Sequence, residues 1–100
     1  MNQFLFLFVA PDKEASKCRS KVEFSGIILH VAGSSTYEEA VDAAREYVAK
    51  GVSTIELCAG FGHKGAAMIS EAVGSGVNVG VVRFDIHPGF GNKSGDAIGL

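Results

Sequence analysis

Near the start of the chain an apolar alternation has no polar face: Phe4, Phe6 and Phe8 interleave with Leu5, Leu7 and Val9. A strand with both rows apolar is expected to be buried on both sides. Pro11 to Ser20 is polar and predicts a loop or a short helix. From Lys21 to Ala32 strand composition returns. Val22 and Phe24 alternate with Glu23 and Ser25, and Ile27, Leu29 and Val31 continue the apolar set after Gly26, where the shift in phase predicts a bulge.

The period then changes. Tyr37, Ala40, Val41, Ala44, Tyr47 and Val48 recur at helical spacing and make one apolar stripe. A capping box stands before it, read either from Ser35 to Glu38 or from Thr36 to Glu39, and Gly51 supplies the stop. Ser53 to Ala59 predicts a strand, Lys64 to Val73 a helix ended by Gly74-Ser75-Gly76, and Val77 to Phe84 a further strand. Strands alternating with helices predict one small α/β domain over residues 1–100. Its sheet is expected to have about four strands, mostly parallel and built from βαβ units. Only about a dozen residues connect the first strand to the second, near the lower limit for a parallel crossover, so that pair is open to an antiparallel arrangement. Residues 86–100 form an irregular glycine-rich tail, in which Phe90, Ile98 and Leu100 are apolar groups that call for a surface.

Composition narrows the function classes. In 100 residues, 47% are hydrophobic and 20% charged, which is globular composition. Nine basic residues against eleven acidic ones leave a net charge of -2 with no basic stripe, which argues against nucleic acid as a partner. The N-terminal apolar run is too short for a membrane helix and lacks the basic residue that precedes a signal peptide's core. Cys18 and Cys58 form no CxxC pair. The expectation is a cytoplasmic protein with free thiols, no membrane association, and a homo-oligomeric state that covers the small domain's apolar surface.

One stretch suggests chemistry. Gly60-Phe61-Gly62-His63-Lys64-Gly65 matches G-x-G-x-x-G between an expected strand and an expected helix, with Asp85 about 20 residues farther on. Glycines let a backbone approach a phosphate, and a helix N-terminus offers free N–H groups and a positive dipole end. Little sheet remains to hold a dinucleotide. The motif is therefore either a structural glycine turn without a ligand, or the seat of a smaller anionic or phosphorylated molecule held by Gly60, Gly62, His63, Lys64, Gly65 and Arg83. No Ser, Thr, Asp or Asn at Gly60 to Lys64 caps the helix, so an anion, water or another chain segment, the tail being nearest, must meet those N–H groups. Gly89 to Ser94 is not a P-loop, because Asn92 replaces the glycine before the lysine.

A catalytic alternative rests on Cys58, His63, Asp85 and His87, all expected near the carboxyl ends of the strands. Asp85-x-His87 with His63 lacks a metal-binding spacing, so no metal is assigned. Glu56 and Arg83 read as an ion pair between neighbouring strands rather than as catalytic groups. His30, Tyr37 and Tyr47 read as structural. A third alternative is an assembly subunit without a ligand site, with the tail as connector.

Ile55 to Ala66, reading IELCAGFGHKGA, and Val79 to Asp96, reading VGVVRFDIHPGFGNKSGD, together resemble a family of short bacterial and archaeal proteins classed as a domain of unknown function. The resemblance covers most of the chain, including the apolar first strand and Ala10-Pro11. It implies a whole small protein with the tail as part of its signature, and no reaction or cofactor to transfer.

Overall fold

The computed structural model describes residues 2–100. Its strands are β1 (Asn2–Val9), β2 (Arg19–Phe24), β3 (Ile27–Ser34), β4 (Thr54–Leu57) and β5 (Asn78–Val81), and its helices are α1 (Tyr37–Ala49) and α2 (His63–Val73). They form one five-stranded sheet in the order β2-β3-β1-β4-β5. β1 runs parallel to β3 and β4, and β4 parallel to β5, whereas β2 is antiparallel to β3. The radius of gyration, 12.9 Å, is that of one compact domain of this length.

The α/β class is as expected, but the sheet is mixed rather than mostly parallel, with five strands in place of about four. The difference arises at Gly26. Ser25 and Gly26 both have positive φ, 46° and 80°, and turn the chain back on itself. Two central residues in that region close a two-residue hairpin that matches the strand twist. What reads as one bulged strand is therefore β2 plus β3. β5 also stops at Val81, short of the expected Phe84, because its neighbour β4 ends at Leu57.

The α1 cap takes the second register. Thr36 Oγ1 accepts from the Glu39 N–H at 3.1 Å, and the Glu39 carboxylate accepts from the Ser35 N–H and hydroxyl, both at 2.9 Å. Those bonds hold the exposed Glu39 carboxyl below its ordinary pKa. His30 is structural: its ring tilts against Tyr47 at 4.9 Å, and its Nε2 lies 2.8 Å from Gln3 Oε1. Burial is the first cause of its lowered pKa, with Lys21 and Lys50 adding to it.

The connections β3-α1-β4 and β4-α2-β5 both step across the sheet in one direction. Right-handed crossovers then place both helices on the same face. Burial follows this geometry. Leu5, Leu7, Ile55 and Leu57 are fully buried under the helices, with Val9, Ala40, Ala44, Tyr47 and Ile69. Each of the Leu, Ile and Val side chains among them contributes about 1.5–3 kcal/mol by leaving water. The expectation that β1 is buried on both sides is therefore corrected: Phe4, Phe6 and Phe8 lie on the face without helices and are only half-buried.

Candidate functional site

The carboxyl ends of the parallel strands carry the loops that enter α1 and α2. Gly62 is the N-cap of α2 and makes no side-chain cap, as its neighbours in sequence foretell. The tail supplies the missing acceptor. Asp96, in a 3₁₀ turn over Gly95–Ala97, accepts from the Lys64 N–H at 2.9 Å and the Gly65 N–H at 3.3 Å. The Tyr37 hydroxyl donates to Asp96 Oδ1 at 2.8 Å and accepts from the Gly62 N–H at 3.1 Å. The Leu100 carbonyl oxygen accepts from the Tyr37 N–H at 2.9 Å, so the tail meets the N-terminus of α1 as well.

The electrostatics follow from this wiring. Burial pushes the Tyr37 phenol up to about 12, and the Asp96 charge adds to that, against the Gly62 N–H. For Asp96 burial acts upward. The bonds from Lys64, Tyr37 and Gly65, with the Arg83 charge, outweigh it and hold the carboxyl below its ordinary pKa. An aspartate at a helix N-terminus also meets the positive end of the dipole.

Each glycine of G-x-G-x-x-G has a steric reason within this arrangement. A Cβ at Gly60 would lie 2.7 Å from the Val9 carbonyl oxygen, one at Gly62 would strike the Asp96 carboxylate, and one at Gly65 would lie 2.5 Å from the Tyr37 ring. A Cβ on Gly95 would collide with the Gly60 carbonyl oxygen. The tail is thus seated directly on the loop, and the Tyr37 ring stacks on the buried Phe61 ring at 5.7 Å beneath it.

The other expected site residues are dispersed in their bonding. Cys58 Sγ accepts from the Val9 N–H at 3.4 Å and the Gly60 N–H at 3.3 Å, tying the loop to β1. His63 and Lys64 are exposed at the first turn of α2. Arg83 Nε donates to Asp85 Oδ1 at 2.9 Å, in place of the ion pair with Glu56. Glu56 stands opposite Gly80 in the ladder. His87 stacks on Phe90 at 4.2 Å, and its Nδ1 accepts from the Gly89 N–H. No hydrogen bond joins any two of Cys58, His63, Asp85 and His87, and no group of three or more His, Cys, Asp or Glu among the described residues is placed to hold a metal. The residues missed by sequence reasoning are Asp96 and the Tyr37 hydroxyl. Their one advance signal was the uncapped start of α2.

A second feature of the surface is the sheet face that carries no helix. Alternate residues of β2, β3 and β1 point to it: Val22 and Phe24 are 55% and 56% exposed, and Leu29, Val31, Phe4 and Phe6 are half-buried. Thr54, Glu56 and Asn78 follow on β4 and β5. The charged row of β2 points the other way. Lys21 pairs with His30 on the helix side, and Arg19 lies over the Tyr47 ring at 5.3 Å. In an isolated two-layer domain the bare face is expected to be the polar one. Here β2 shows the reverse.

A family model described as a family of unknown function (DUF6506) matches residues 2–97, and the chain belongs to that family. No curated protein and no solved structure matches the chain. No helix among the described residues is long and apolar enough to cross a membrane.

Proposed function

We propose that this member of the DUF6506 family is a self-assembling subunit that pairs with a second copy through its open sheet face. The observation that carries the reading is the inverted edge strand, with Val22 and Phe24 exposed on the bare side and Arg19, Lys21 and Glu23 on the other. Five strands spaced about 4.8 Å apart and about six residues long give a flat footprint of roughly 500 Å². Side-chain relief brings this toward the 600–800 Å² per partner at the small end of specific interfaces, about the area a stable dimer needs. The apolar centre has Ser20, Thr54, Asn78 and the exposed Glu56 around it, a polar rim of the kind such interfaces carry. Two such faces pack about 10 Å apart, as in a β-sandwich.

Sedimentation of wild type and of a Val22→Lys, Phe24→Glu double variant tests the proposal. Both positions are exposed, so the fold tolerates the change while the interface gains buried charge. The variant is expected to have half the wild-type mass. A wild type that stays at 10.4 kDa across the micromolar range, or a variant of unchanged mass, overturns it.

A second reading keeps the small anionic ligand. It is favoured by the Asp96 carboxylate, an anion already resting on the Lys64 and Gly65 N–H groups near Arg83. A phosphorylated molecule would take that place after the tail lifts. In Asp96→Asn, phosphate or sulfate is expected to raise the melting temperature more than chloride at equal ionic strength. Equal effects of the three salts leave the loop as a seat for the tail alone.

A further inference from the structure

β5 pairs on one side with β4 and, among the described residues, has no strand on its other side. Beyond it, Val82-Arg83-Phe84-Asp85-Ile86 keeps strand alternation, two polar residues between three apolar ones, but belongs to no strand. The Val82 N–H still donates to the Leu57 carbonyl oxygen at 3.4 Å. The next four N–H groups, Arg83 to Ile86, donate to no protein acceptor among the described residues. Val82, Phe84 and Ile86 are 52%, 43% and 65% exposed. The chain bends at Asp85 and Ile86, but once straightened a segment with β-branched and aromatic alternation, free backbone groups and exposed apolar side chains has what a strand edge needs.

We propose that this segment pairs antiparallel with the same segment of a second copy, about a two-fold axis at Phe84. The register is set by charge. Centring the pair on Phe84 places Arg83 of each copy opposite Asp85 of the other, and Val82 opposite Ile86. Opposite charges directly across a ladder stabilise it, and aromatic and β-branched side chains on one face do the same. Within one chain Arg83 and Asp85 already bond at 2.9 Å, with the Asp85 side chain 80% exposed, so the carboxylate is accessible to the second copy. A self-complementary patch of this kind is what an isologous interface requires. Pairing would satisfy the free N–H groups and prolong β5 across the axis. Val82, Phe84 and Ile86 share the alternation of Asn78 and Gly80, so in an extended strand their row continues the open sheet face.

The inference rests on the reading of this protein as a homo-oligomer, but it uses a different surface, and the two fail separately. Arg83→Asp and Asp85→Arg are made singly. Each puts like charges opposite each other in its own homodimer and is expected to halve the wild-type mass. In an equimolar mixture of the two, the Asp introduced at position 83 faces the Arg introduced at position 85, and the native Asp85 of the first variant faces the native Arg83 of the second, so the mixture is expected to recover the wild-type mass as a heteromer. Unchanged mass for the single variants, or no recovery on mixing, overturns the edge pairing. The Val22→Lys, Phe24→Glu result then still decides the sheet face by itself. Hydrogen exchange of wild type gives an independent reading if a single variant fails to fold. Protection of the Arg83 to Ile86 amides that rises with protein concentration is expected, and fast exchange at every concentration overturns the proposal.

Discussion

Replacing Asp96 by Ala removes the acceptor that joins the tail to α2 and is expected to destabilise the domain by about 3 kcal/mol. Loss of an N-cap acceptor costs about 0.5–2 kcal/mol, of which we take about 1.5. The Tyr37 hydroxyl, in a residue 4% exposed, loses its acceptor at 2.8 Å, and a buried donor left unpaired costs about 1–3 kcal/mol, again taken as about 1.5. For a domain of this size, about 3 kcal/mol corresponds to a fall in melting temperature of roughly 12–24 °C. Asp96→Asn keeps one acceptor oxygen and is expected to recover about half of the loss. The pH dependence has a definite sign. Because the folded Asp96 pKa is lowered, its contribution is present above the unfolded value, about 3.9, and is lost as pH falls through the folded value. The difference between wild type and Asp96→Ala in urea unfolding should therefore be constant near neutrality and shrink only below about pH 4. Gly62→Ala supplies a coupled check, since its Cβ would strike the Asp96 carboxylate. It should cost less in the Asp96→Ala background than in wild type. A loss under about 0.5 kcal/mol for Asp96→Ala, within the range of ordinary surface substitutions, would refute the account of the tail as a cap.

Two further predictions concern local chemistry. Tyr37→Phe leaves the Gly62 N–H without its acceptor and is expected to cost about 1–3 kcal/mol in urea unfolding. Since the Tyr37 pKa is raised to about 12, its contribution is complete below the unfolded value near 10 and is lost as pH rises through about 12. The variant should therefore lack that alkaline loss, and an identical alkaline profile would contradict the burial. Ser25→Asn places a residue that tolerates positive φ in the first position of the β2–β3 turn, where Ser25 has φ of 46°. It is expected to stabilise by about 0.5–1 kcal/mol, measured by thermal unfolding, and no gain would argue against the two-residue turn.

The amino-acid order by itself determined the elements whose signals are local. The α1 stripe from Tyr37 to Val48, its Thr36–Glu39 cap and the stop near Gly51 all follow from a 3.6-residue period and side chains that reach their own backbone. The start of α2 was equally legible, and with it the fact that no nearby side chain caps it. What fills that gap was not legible, because Asp96 stands 32 residues from Lys64 and no local period relates them. Only the folded chain brings the tail across the ends of both helices. The same holds for the glycines at 60, 62 and 65, whose spacing suits a phosphate or a tail equally well until the neighbours of each missing Cβ are known. At Gly26 the apolar row shifts parity, from Val22 and Phe24 to Ile27, Leu29 and Val31, and a bulge and a two-residue hairpin produce that shift alike, so only the pairing of Phe24 with Ile27 tells them apart. Lastly, the double apolar alternation of β1 states that both faces avoid water but not what covers them. The handedness of two crossovers puts both helices on the Leu5 and Leu7 side, and so leaves Phe4 and Phe6 on a face that the single chain does not close.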